Sequence, residues 1–104
     1  MGLTRDADKM VCVIYKAFLQ ERKDGRSKAE ARRFEESSLN KFPAFNSWQM
    51  QDISDTIHEL HSKGLVKKFI TGDFELSDSG IVYMENRFKN GLLEVTDFIS
   101  KFMP

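Results

Sequence analysis

The feature that most constrains this chain is a change of hydrophobic period at Gly64. Before it, Met50, Ile53, Ile57 and Leu60 recur at three- and four-residue steps, the spacing of one buried helical stripe. Gly64 supplies the left-handed residue that commonly ends a helix. After it, Leu65–Ile70 reads as a strand, Thr71-Gly72-Asp73 as a tight turn and Phe74–Leu76 as the returning strand. Ser77 then opens another helix, with Ile81, Met84 and Phe88 facing inward. A helix that runs into a hairpin and back into a helix within 40 residues predicts a mostly α fold with a small β-hairpin, an α+β class.

The remaining segments are helical. From Asp6 to about Arg22, Ala7, Met10, Val11, Ile14, Ala17 and Phe18 form one apolar stripe, and Cys12, Tyr15 and Leu19 form a second on nearly the opposite side. Such a helix must be covered twice, by another helix of the chain or by a second copy, so a homodimer is an expectation. Gly25 marks a turn, and Ser27-Lys28-Ala29-Glu30 has capping-box spacing. The second helix is expected to reach about Ser37 and to bury Ala31 and Phe34. Pro43 makes Leu39–Phe45 an irregular connector. Asn46 or Ser47 is expected to cap the third helix, with Gln49 placed for the reciprocal bond. Beyond Asn90-Gly91, a fifth helix is expected to bury Leu92, Val95, Phe98, Ile99 and Phe102. With 104 residues and no repeat or linker, the chain reads as one domain, 1–104, with its main body at 6–90 and a C-terminal helix at 91–104.

Two segments resemble a known family. Ile57-His58-Glu59-Leu60-His61-Ser62-Lys63-Gly64-Leu65-Val66 is similar to the exit of the third helix in MarR- and PadR-type winged helix-turn-helix regulators. Phe74-Glu75-Leu76-Ser77-Asp78-Ser79-Gly80 resembles their return from the wing into the next helix. The layout is also similar to the small YjcQ-like winged-helix proteins. The resemblance implies a winged helix-turn-helix with an additional C-terminal helix. It also implies a double-stranded DNA partner, possession of a recognition helix in the third position, and a role in transcription regulation.

On that resemblance, phosphate contacts fall to Arg26, Lys28, Arg32 and Arg33 around the second helix and to Lys67 and Lys68 on the strand entering the wing. Base contacts fall to Gln49 and Gln51 at the start of the third helix. The net charge is zero, but residues 1–33 hold nine basic against five acidic groups, so the chain offers a basic face rather than a basic whole. The outer face of the third helix departs from the family pattern, because it carries Asp52, Asp55 and Glu59. Three carboxylates repel a polyanion. The connector is also longer than the three or four residues usual in helix-turn-helix units. Its Phe42 and Phe45, with Trp48, read either as core rings or as the contact of a protein-interaction module that binds no nucleic acid.

Other chemistry finds little support. Cys12 is the single cysteine, lies in an apolar helical stretch and reads as a small core hydrophobe. Its lack of a pairing partner points to a reducing, cytoplasmic setting. His58, His61 and Asp55 spread too widely around a helix to make a metal site, and no Cys pair or third His exists. No phosphate loop, catalytic order or cofactor motif is present, so neither an enzyme nor a cofactor is expected. The longest apolar run, Val11–Tyr15, is far short of the roughly 20 residues that span a bilayer. Arg5 and Asp6 stand where a signal peptide is apolar, and Asp6 also breaks the myristoylation pattern that begins at Gly2.

Overall fold

The first helix organises the molecule. Residues 2–101 are described by a computed structural model, in which α1 spans Arg5–Lys23 and is capped by Thr4, whose hydroxyl accepts from the Ala7 N–H at 3.2 Å. Asp6 and Asp8 lie in its first turn and Arg22 and Lys23 in its last, each sign at the favourable end of the helix dipole. Eight of its side chains are buried, from Ala7 to Phe18. Four other elements pack on it: α2 (Lys28–Ala31), α3 (Met50–Ser62), α4 (Asp78–Arg87) and, most extensively, α5 (Leu92–Ser100). Cys12 and Tyr15 of the second stripe are therefore buried within one chain and Leu19 is half-buried. The expectation of a homodimer loses its motive, since α4 and α5 already provide the second cover.

The second helix is shorter than its sequence predicts. The capping box forms, with the Ser27 hydroxyl accepting from the Glu30 N–H and the Glu30 carboxylate accepting from the Ser27 N–H. The helix nevertheless ends at Ala31, and Arg33–Glu35 becomes a strand, β1. Pairing wins over local propensity here: Phe34 lies opposite Phe74 and stacks on it at 5.7 Å, while the backbone of the strand is satisfied by its neighbour. Residues 36–41 and 43–45 form 3-10 turns that drop Leu39 and Phe45 into the core. These turns also delay α3. Its N-cap is Gln49 rather than Asn46 or Ser47, because the Trp48 N–H still closes a turn onto the Phe45 carbonyl. Met50 consequently starts the helix half out in solvent, at 44% exposure, whereas Ile53, Ile57 and Leu60 are fully buried as expected.

Gly64, at φ +78°, turns the chain from α3 into β2 (Val66–Lys68), and β3 (Asp73–Leu76) returns beside it. The wing-like hairpin is thus one half of a three-stranded antiparallel sheet in the order β1-β3-β2, not an isolated pair. Val66, Phe74 and Leu76 face the core, while Lys67, Glu75 and Arg33 stand in register across the strands. The fold is mostly helical with this small sheet, an α+β arrangement.

Ser77 joins the sheet to α4. Its N–H donates to the Leu65 carbonyl at 3.0 Å, its hydroxyl donates to the Gly64 carbonyl at 2.6 Å and the same hydroxyl accepts from the Gly80 N–H at 2.9 Å. A β-carbon on Gly80 would stand 2.2 Å from the Leu65 carbonyl oxygen, so only glycine lets the helix lie this close to the strand. At the far end of α4, Arg87 pairs with Asp8 of α1, and its guanidinium lies 5.0 Å from the Phe88 ring and 4.7 Å from the Phe98 ring. In α5, Val95 and Ile99 are buried and Leu92 and Phe98 half-buried; Phe102 lies outside the described residues. Among the described residues, no helix is long and apolar enough to cross a membrane.

Candidate binding surfaces

The basic residues assigned to phosphate contact divide into those spent inside the fold and those left in solvent. Arg32 follows the single turn of α2 and points back across the sheet. Its Nε donates to the Leu76 carbonyl at 2.8 Å, one guanidinium nitrogen meets Asp78 at 2.7 Å, and Glu75 lies 3.8 Å away. Only 15% of the side chain is exposed. Arg32 is a tie between β3 and α4, so the guanidinium expected to meet phosphate is engaged within the chain. Arg33 lies on β1, not on a helix, with its guanidinium 4.3 Å from the Phe69 ring and 3.3 Å from an Asp73 oxygen. Arg26 pairs with Glu21 at 2.7 Å and approaches Glu30 at 3.9 Å. Each of the three arginines thus has a carboxylate partner.

Lys28, Lys67 and Lys68 make no ion pair among the described residues and are exposed. Lys28 and Lys67 both act on Asp78 through their charge. The Asp78 carboxyl is held below the ordinary carboxylate range, first by the Arg32 hydrogen bond and charge and then by these two lysines. Gln49 and Gln51 sit elsewhere, at the start of α3, whereas β2 leaves from its other end, a helix length of about 20 Å away. The glutamines and the lysines therefore do not form one cluster. Gln51 is moreover occupied, donating to Asp55 at 2.9 Å.

The acidic face of α3 is built for two purposes. Glu59 accepts from both the backbone N–H and the hydroxyl of Thr4, at 2.8 and 2.6 Å, and these bonds hold its carboxyl below the usual range. It locks the start of α1 onto α3. Asp52 and Asp55 remain exposed and point away from the core. His61 lies 3.3 Å by Nδ1 from the Val66 carbonyl and His58 is exposed, with ring centres 6.5 Å apart. Among the described residues no group of three or more His, Cys, Asp or Glu side chains could hold a metal ion.

The aromatic candidates also divide. Phe45 is fully buried, which is the core-ring alternative of its two readings. Phe42 and Trp48 are half-buried at the edge of the core. Trp48 packs edge-on against Phe45 at 5.0 Å, and the Lys9 ammonium lies 5.8 Å from its ring. Phe42 borders a mainly apolar cleft of about 220 Å³ between α1, the turn at 43–45 and the end of α5. Two further clefts also touch Phe42 and Ala17, so this ring stands where three depressions meet.

Cys12 is fully buried, and burial pushes its thiol up to about 12, outweighing the lowering influence of Arg87. It offers no thiolate. The Glu59–Thr4 bond, the Arg32 tie and the Phe42 clefts have no signature in local sequence, since each joins segments far apart in the chain. Comparison of the chain with protein-family models, with curated proteins and with solved structures finds no match.

Proposed function

We propose that the chain is a winged-helix protein-interaction module rather than a DNA-binding one. The observation that carries this reading is the state of the arginines: Arg26, Arg32 and Arg33 are each neutralised by a carboxylate of the same chain. A phosphate would have to displace the hydrogen-bonded contacts of the largely buried Arg32, and would compete with carboxylates already beside the more exposed Arg26 and Arg33. The outward face of α3 adds Asp52 and Asp55 where a recognition helix meets a polyanion. Half-buried Phe42 and Trp48, which both approach the buried Phe45, and the exposed Met50 offer instead apolar side chains at the surface. That composition suits a protein partner.

A double-stranded DNA partner is the second reading, favoured by the unpaired Lys28, Lys67 and Lys68 beside the hairpin. The experiment that separates the two is anisotropy of a labelled random-sequence duplex, titrated at low and moderate salt. The interaction reading expects no binding even at low salt. Binding that weakens steeply with salt and disappears in the Lys67→Glu/Lys68→Glu double variant overturns it.

A further inference from the structure

The hairpin leaves one edge of the sheet open. In the order β1-β3-β2, β2 is an outer strand. The hairpin closes through bonds at alternate residues: the Ser77 N–H donates to the Leu65 carbonyl at 3.0 Å and the Phe69 N–H to the Asp73 carbonyl at 2.9 Å. Antiparallel alternation turns the backbone groups of Lys67 toward Glu75, its register partner, so those of Val66 and Lys68 point outward. Among the described residues, only His61 reaches that side, with Nδ1 3.3 Å from the Val66 carbonyl. That carbonyl keeps a second lone pair, and Lys68 keeps both its N–H and its carbonyl. Such an edge is a template for another strand.

The side chains along this edge decide which strand can add. Lys63 follows α3, Lys67 and Lys68 lie on β2, and all three are exposed and make no ion pair among the described residues. Successive side chains of a strand alternate between its faces, so Lys67 and Lys68 stand on opposite faces of the sheet. A second copy pairing edge to edge would set these ammonium groups against their own kind. A carboxylate on either face of an incoming strand instead meets one of them. Just past Lys68, Ile70 is fully exposed in the turn, more so than Met50, Val82 or Leu93, and gives the edge an apolar contact at its end. We propose that the outer edge of β2 takes up an extended segment of a partner protein, with acidic and apolar residues alternating, as a further strand of the sheet. This edge lies at the other end of α3 from Trp48, and taking its occupant to be a protein rests on the interaction reading.

The test titrates a peptide of alternating Val and Glu into the isotope-labelled full chain, followed by amide chemical shifts and hydrogen exchange. The Val66 and Lys68 amides are expected to shift, and exchange at Lys68 to slow as its N–H gains an acceptor. A counterpart peptide with Lys in place of Glu is expected to bind about tenfold more weakly, because its charges meet Lys67 and Lys68 with the wrong sign. Ile70→Ala, in a solvent-exposed turn, is expected to weaken binding several-fold with unchanged far-ultraviolet circular dichroism. Lys68→Pro removes an outward N–H and no ladder bond, and is expected to abolish binding. Unslowed exchange at Lys68 of the unaltered chain in millimolar peptide overturns the proposal whether or not any variant folds, and so does equal binding of the two peptides. Lys68 shifts that grow with protein concentration alone assign the edge to a second copy, and displacement of the peptide by a random-sequence duplex assigns it to nucleic acid; either result overturns it. If the peptide fails, the surface around Trp48 still stands as the partner contact. Failure of the interaction reading shows separately, as duplex binding with no peptide present.

Discussion

The thiol of Cys12 lies wholly inside α1's packing, where desolvation rather than any neighbouring charge sets its chemistry. Iodoacetamide at neutral pH is accordingly expected to leave Cys12 unmodified in the folded protein and to label it once denaturant is added, followed by mass spectrometry. The unfolded chain releases the thiol proton in the ordinary range, while the folded chain keeps it to about pH 12. Stability should therefore fall as pH rises through that interval. Glu59 works in the opposite direction. Its carboxyl is held low by Thr4, so its contribution is present above the ordinary glutamate range and is lost as pH falls through the folded value. Glu59→Gln should flatten the acid side of a stability-against-pH curve measured by urea melts. Arg32→Ala is expected to cost about 2 kcal/mol in the same assay, because it leaves the Leu76 carbonyl and the Asp78 carboxylate without their shared donor and removes the charge beside Glu75.

Among the elements, the junction of β2, β3 and α4 is the most exacting. Gly80→Ala places a methyl group 2.2 Å from the Leu65 carbonyl oxygen, an acceptor already used by Ser77. The loss should reach about 3 kcal/mol, the upper end for overpacking against an unyielding neighbour, measurable as a lower denaturant midpoint. This junction was legible in part: the demand for Gly80 comes from the approach of Leu65, fifteen positions away, whereas Gly64 and Ser77 impose local geometry that residue type declares. The period of α1 and of α3 was legible for the same reason. Residues 32–37 were not, because nothing within them distinguishes the second turn of a helix from a strand whose partner lies 40 residues later. Met50 was misplaced with them, since its exposure depends on where the preceding turns release the chain. Of the candidate binding residues, type and charge were readable but availability was not. Whether Arg32 meets solvent is decided by Leu76 and Asp78, more than 40 positions away.

At the scale of the whole molecule, both apolar sides of α1 are covered by α2 to α5 of the same chain, so sedimentation at micromolar concentration is expected to give the monomer mass. A dimer mass would mean that a surface other than the α1 stripes associates. The contact between Asp8 and Arg87 bridges 79 positions, and the helix that most extensively covers α1 is α5, which begins at Leu92. At a synthesis rate of about 5–20 residues per second, the interval between completing α1 and completing α5 is on the order of ten seconds. Throughout that time the helix with the most buried side chains has no finished cover. The burial of α1 is thus completed only once a segment far along the chain has been made, and until then its apolar stripes are open to other contacts.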